Sequence, residues 1–257
     1  MHDTAISVLS VRNHLLGALP AGEYKRLLPN LEEVEMVVSK TLYNRGDIIP
    51  HVYFPKSGVI SLVASVGDSS TLEVGLTGRE GMAGMPLCFG VKTSYVKTLI
   101  QGEGTALRMT ARNFETEFRK GKELSRILLR YAHSMFVQIS QTSVCYRFHD
   151  VDARLARWIS MMSDRIDSNE FIMTQKFLSD MLGVRREAVT RAAVDLQKKG
   201  LLSYSRGHIA ITSQTGLRTA ACPCYNIIKD EEKSFAASKM MMASSSTNQS
   251  SISASTT

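Results

Sequence analysis

Residues 177–202 read FLSDMLGVRREAVTRAAVDLQKKGLL: two short apolar runs around Gly183, with Arg185, Arg186 and Arg191 just beyond it. Leu178, Ser179, Gly183, Val189 and Ala192 fall where a helix-turn-helix needs an apolar residue, a small residue, a turn glycine and two further apolar residues. The reason is steric. A small residue in the first helix lets the second cross close by, and a left-handed glycine makes the three-to-four-residue turn. Val189, Ala192, Ala193 and Leu196 are then core-facing. Arg185, Arg186, Glu187, Thr190 and Arg191 are left on the outer face of the second helix's opening turns.

Those outer residues suit the reading of base edges. Arginine offers two parallel donors to O6 and N7 of guanine, and glutamate accepts from the amino group of cytosine. From Val184 to Gly200 five basic residues stand against two acidic ones. SYSRGHIAIT follows, a tight hairpin with Arg206-Gly207 at its tip, so the whole reads as a winged helix-turn-helix. Arg206 and His208 on the wing would approach phosphates, which positions a protein on DNA without specifying sequence. The competing reading of this stretch alone is an αα-hairpin with a solvated charged face.

Upstream the periodicity changes. In KSGVISLVASVGDSSTLEVGLTG, Ile60, Leu62, Ala64 and Val66 alternate with Ser61, Val63 and Ser65, and Leu72, Val74 and Leu76 repeat the pattern after GDSS. That is a β-hairpin. Further turns at Tyr43–Asp47, Gly78–Gly81 and Gly102–Gly104 suggest a small barrel or sandwich over about 41–110. Residues 1 to about 40 read as helical, broken by Pro20 and Pro29. A long helix is expected from about Ala111 to about Phe148, with Leu124, Ile127, Leu128, Tyr131, Met135 and Ile139 as its stripe. That stripe fits a helix on its own barrel as well as a dimer seam, though a length of ~40–50 Å favours the dimer. Asp150 is placed to cap a following helix with apolar positions Val151, Leu155, Trp158, Ile159 and Met162, and SDRIDSNE reads as a polar loop. Thr174 is placed to cap the helix after it. The Ser/Thr-rich tail from 234, with Met240–Met242, reads as disordered.

The chain has 257 residues, a formal charge of +7 and 44% hydrophobic residues. It supports one or two domains and an anionic partner. No apolar run is long enough for a membrane span, and no secretory layout opens the chain, so a cytoplasmic protein is expected. Four scattered cysteines, Cys88, Cys145, Cys222 and Cys224, argue against a disulfide framework. Too few are grouped for an iron–sulfur cluster, and Cys222-Pro-Cys224 offers at most half a metal site. Cys88 reads as a small buried hydrophobe or a redox-sensitive thiol, and His51, His133 and His149 as single histidines, structural or exposed, with haem ligation the alternative reading. No metal and no cofactor is expected. H-E-x-x-H, G-x-S-x-G and Rossmann patterns are all missing, and Gly90-Val-Lys-Thr93 fails as a P-loop, so no enzyme is expected.

With these motifs the sequence resembles the Crp–Fnr superfamily of bacterial regulators over about residues 15–220. The resemblance rests on VYFPKSGVISLV, on FHDVDARLARWI and on G-V-R-R-E-A-V-T-R, which is similar to the family's R-E-x-V-x-R. It implies an α+β chain: N-terminal helices and a cyclic-nucleotide-binding-like β-barrel or jelly roll (1–112), a long dimerisation helix (113–149), a winged helix-turn-helix (150–220) and a disordered tail (234–257). It implies Arg186, Glu187 and Arg191 as base readers, a hinge around Asp150, and Leu128, Tyr131 and Met135 at the seam of a homodimer. Double-stranded DNA is the expected partner, joined by RNA polymerase if the regulator activates.

The family's cyclic-nucleotide motif departs here. In GREGMAGMPLCFGVKTSYVKTLI, Met85 stands where the ribose-binding glutamate would be, and Lys92-Thr93-Ser94 lies near the arginine–serine position. Without a guanidinium the phosphate loses its strongest anchor, so an effector pocket at Met85, Lys92, Thr93 and Ser94 would take something other than cyclic AMP. The rival readings are a small-molecule or anion sensor whose helix-turn-helix only packs, and a nonspecific DNA-compacting dimer.

Overall fold

The structure is a computed structural model and describes residues 12–67 and 70–235. Seven strands come first: β1 (Glu32–Met36), β2 (Thr41–Tyr43), β3 (His51–Pro55), β4 (Val59–Val66), β5 (Ser70–Thr77), β6 (Lys97–Gly102) and β7 (Gly104–Thr110). Their hydrogen bonds divide them into two antiparallel sheets, ordered β1-β7-β3 and β2-β6-β4-β5. Alternate side chains from both, among them Val52, Phe54, Ile60, Ile100 and Met109, meet in one core. The expected β4–β5 hairpin is present, with a register shift between Leu62 and Val63.

The first 40 residues differ from expectation. Among the described residues only α1 (Ala21–Leu27) is an α-helix there, and Glu32–Met36 is a strand. Paired with β7, that strand sets Glu32 beside Arg108, which donates from Nε at 2.9 Å. Tertiary pairing overrides the local period here. The expected single helix from 111 to 148 is also divided, into α2 (Ala111–Lys120) and α3 (Lys122–Phe148). At the break, the Glu23 carboxylate of α1 accepts from the backbone N–H of Glu123 and Leu124 and so caps α3 from a distance. A side chain at Gly121 would meet that carboxylate at 2.9 Å.

Beyond α3 lie α4 (Val151–Ile166), β8 (Glu170–Ile172), α5 (Gln175–Leu182), α6 (Arg186–Lys198), β9 (Leu202–Ser205), β10 (His208–Ile211) and α7 (Gln214–Ala220). A further helix, α8, runs over 224–235. Trp158, Leu178, Val189, Ala192, Leu196, Ile209 and Leu217 build the second core. Asp150 occupies the N-cap of α4, but its side chain makes no capping bond. The helix also continues through Ser163–Ile166, which the sequence reads as loop. The chain leaves it only at Asp167, left-handed at φ 61°.

Two features fix the second unit against the first. β4 is covered on both sides: Ile60 enters the sheet core, whereas Val59 joins the α4–α6 core and Val63 packs with Leu99 and Met181. Buried Arg165 of α4 donates from Nε to Glu80 of the sheet unit and from Nη2 to Glu232 of α8, both at 2.7 Å.

Candidate nucleic-acid interface

The geometry of α5 and α6 follows from three local choices. The Thr174 hydroxyl accepts from the Phe177 N–H and starts α5. Gly183 ends it at φ 59°, ψ 40°, where a Cβ would in addition meet Leu72 of β5 at 2.6 Å. Ser179 is buried and donates to the Lys176 carbonyl, so its small side chain makes no demand on the crossing helix. Val189, Ala192, Ala193 and Leu196 face the core as expected.

That crossing leaves Arg185, Arg186, Glu187 and Arg191 exposed. Arg185 is the residue before α6, and Arg186 and Glu187 lie in its first turn. The unpaired amides at this end favour an anion, so Glu187 also stabilises the helix that carries it. Thr190 differs from its neighbours: it is half-buried, and its hydroxyl lies 3.1 Å from Gln175 Oε1 and 3.0 Å from the Arg186 carbonyl. Its bonds hold α6 to the start of α5.

The wing is present. β9 and β10 pair through a turn in which Arg206 and Gly207 both take positive φ, 50° and 86°, the conformation of a two-residue hairpin. β8 adds a third strand, and exposed His208 lies 3.5 Å from Glu170. Arg206 and Gly207 share an open cleft of about 330 Å³ with Thr174, Gln175, Arg186 and Tyr204. Wing, α5 and the start of α6 thus converge. Sequence reasoning did not single out Gln175 or Tyr204 here, because only the fold brings them beside the arginines.

The residues expected at a dimer seam are elsewhere. Leu128, Tyr131 and Met135 are buried in the sheet core of their own chain. Met135 approaches Gly75, and the Gln138 side chain pairs with both backbone groups of Leu76. The stripe read from the sequence is therefore the inward face of α3. Its outward face carries Leu129, Phe136, Val144 and Phe148, which are 49, 63, 42 and 72% exposed.

In the sheet unit, Tyr131 crosses Gly81 so closely that a Cβ there would lie 2.1 Å from its hydroxyl. The hydroxyl pairs with Thr77 Oγ1 at 2.9 Å. Tyr43, Met82, Leu87 and Cys88 pack in the same core. The residues expected to form an effector pocket differ in exposure. Lys92 and Thr93 are exposed, Met85 is half-buried, and the Ser94 hydroxyl donates to the Val96 carbonyl at 2.6 Å. Burial pushes the Cys88 thiol up to about 12, which disfavours the thiolate.

The other cysteines gather unexpectedly. Cys145 and His149, one turn apart at the end of α3, meet Cys222 and Cys224, which follow α7. Their donor atoms all lie within 4.8 Å of one another. Cys145 Sγ is 3.3 Å from Cys222 Sγ, and Cys224 Sγ is 3.6 Å from His149 Nδ1. The hydrogen bond from Cys222, helped by Arg157, holds the Cys145 thiol down to about 5 and pushes that of Cys222 up. The half-site read at Cys222-Pro-Cys224 is thus half of a four-donor group.

Comparison with known proteins agrees with this layout. Residues 153–220 match the family described as the Crp-like helix-turn-helix domain. No curated protein matches the chain. Among solved structures, FixK2 of Bradyrhizobium japonicum superposes with a TM-score of 0.64 at 14% identity, over 75% of this chain and 98% of its own. A CRP-family transcriptional regulator of Thermus thermophilus gives 0.59 at 16% identity, over 73% and 96%. The c-di-GMP-responsive global regulator CLP of Xanthomonas campestris gives 0.58 at 19% identity, over 75% and 99%. The C-terminal unit thus matches the Crp-like helix-turn-helix family, and the chain as a whole shares the fold of solved Crp–Fnr regulators.

Proposed function

We propose that the protein is a sequence-specific DNA-binding transcription regulator that acts as a dimer on a pseudo-palindromic site. The observation that carries this reading is the solvent-facing set Arg185, Arg186, Glu187 and Arg191 on the start of α6, flanked by Arg206 on the wing. A packing element has no use for three exposed guanidinium groups at one helix end. A major groove has a use for each, two-pronged for guanine and single for phosphate. Glu187 adds discrimination, since a purely phosphate-binding surface gains nothing from a carboxylate.

The dimer uses the outward face of α3. Leu129, Phe136 and Val144 recur at close to heptad spacing on that face, and burying exposed phenylalanines is worth about 2 kcal/mol each. Two α6 helices related by the resulting two-fold axis meet half-sites about one DNA turn, ~34 Å, apart. Cyclic AMP is not the effector, because Tyr131 fills the space beside Gly81 and no arginine stands at Lys92–Ser94.

The test is selection from a randomised DNA pool by the full chain at physiological salt. Enrichment of a two-fold symmetric site with G·C pairs in each half supports the reading. Binding with a steep salt slope and no enriched site instead identifies nonspecific compaction. Arg186→Ala and Arg191→Ala that leave binding unchanged would sink both.

A further inference from the structure

We propose that Cys145, His149, Cys222 and Cys224 form a tetrahedral zinc site that clamps the two ends of the winged domain to the end of α3. The donor set is three thiolates and one imidazole, a known combination for structural zinc. Zinc bonds of about 2.3 Å to sulfur and 2.0 Å to nitrogen place tetrahedral donors roughly 3.4–3.8 Å apart. The 3.3 Å and 3.6 Å separations between Cys145 and Cys222 and between Cys224 and His149 lie close to that, and all four atoms stay within 4.8 Å. Such a span holds a single ion.

The local chain is built for convergence. Four residues of helix put Cys145 and His149 on one face, and the single Pro223 between Cys222 and Cys224 turns both thiols to the same side. The three cysteines are buried and form a small cluster of their own, with Ala153 as the apolar neighbour. Arg154 and Arg157 flank it. Both are buried and neither Nε has a hydrogen-bond partner, and among the described residues neither guanidinium is ion-paired to a carboxylate. Glu73 lies in the field of Arg157, but its carboxylate bonds are to Ser61 and Trp158. Zn²⁺ with three thiolates and a neutral imidazole carries one net negative charge. That charge supplies a counter-ion to buried guanidinium groups that no carboxylate pairs directly. Binding releases the thiol protons to solvent and needs no oxidant or reductant.

The position gives the site its consequence. Cys145 and Cys222 are 77 residues apart in sequence, and the winged domain lies between them. One ion therefore fastens the start and the end of that domain to α3. On the DNA-binding reading above, occupancy of the site sets the bearing of α6 and makes DNA affinity zinc-dependent.

The experiment uses the full chain, stripped by chelator under reductant and then titrated with Zn²⁺ against a chromophoric chelator, with Co²⁺ as the spectroscopic probe. The expected result is one ion per chain and, for Co²⁺, the intense visible bands of a tetrahedral site with a thiolate charge-transfer band. Cys145→Ser and Cys224→Ser should weaken binding by more than about tenfold, while Cys88→Ala, in the other core, should not. His149→Gln, at a half-buried position, serves if the cysteine variants lose their circular dichroism. No stoichiometric uptake with four titratable thiols, or uptake indifferent to these variants, would overturn the site. Operator affinity is then compared with and without zinc. A change of tenfold or more supports the clamp, and metal uptake with unchanged affinity overturns the coupling. Absence of DNA binding in both states counts against the DNA-binding reading while leaving the site standing.

Discussion

Two sets of arginines in one domain have opposite fates. Arg185, Arg186 and Arg191 around the start of α6 stand in solvent, whereas Arg154, Arg157 and Arg165 of α4 are 6, 3 and 4% exposed. The buried set has its bonds inside the protein. Arg154 donates to the Leu182 carbonyl and lies 4.4 Å over the Tyr146 ring, Arg157 sits beside the thiols, and Arg165 joins two carboxylates. The exposed set makes few such bonds, the nearest being Arg186 Nε at 3.4 Å from Gln175. The same side chain is thus structural on one helix and available to a partner on the next. Burial and partners decide which, not residue type.

The contrast breaks first at Arg165. Arg165→Met should cost about 3–5 kcal/mol in urea unfolding, because it removes the cation that Glu80 and Glu232 share and leaves Glu232 with Lys229 alone. Adding Glu80→Gln and Glu232→Gln should return part of that loss. A cost below about 1 kcal/mol would place Arg165 with the surface arginines.

Glu73 sharpens the buried side. Burial raises its carboxyl to about 7. A carboxyl that holds its proton more tightly when folded contributes stability in full below its unfolded value near 4.5. That contribution is lost as pH rises through about 7, up to about 3 kcal/mol. Unfolding measured between pH 4.5 and 7.5 should show the decline, and Glu73→Gln should flatten it.

On the exposed side the expected effects separate binding from folding. Arg186→Ala or Arg191→Ala should weaken a selected operator by roughly 1–3 kcal/mol per half-site in a mobility-shift titration. Stability should change by no more than about 0.5 kcal/mol. The smallest effect belongs to the cap of α5, the helix between the two sets: Thr174→Ala removes the bond to the Phe177 amide and should lower stability by about 1 kcal/mol on thermal unfolding.

Local signals carried much of the fold. Gly183, Thr174, the Arg206-Gly207 turn and the β4–β5 alternation each act within a few residues, and each stands where the sequence places it. What escaped depends on partners far along the chain. Glu32–Met36 is a strand because β7 pairs with it, and α3 begins at Lys122 because Glu23 caps it. Arg165 reads as loop because Glu80 and Glu232, which bury it, are 85 and 67 residues away. The stripe on α3 was legible as apolar, but periodicity does not say which neighbour covers it. The exposed run through Leu129 and Phe136 is sparser than the buried one, so the buried one drew the dimer reading. Cys145 was legible only as one of four scattered cysteines, and the fold alone sets it beside Cys222.

The Arg165 junction also has a bearing on how the chain is made. Glu80 is synthesised 85 residues before Arg165 and Glu232 67 residues after it. During translation both sheets, α6 and the wing have all been synthesised before the second carboxylate exists. A premature stop just ahead of residue 232 would therefore yield a protein with all of these elements intact, but with Arg165 tied to one side only.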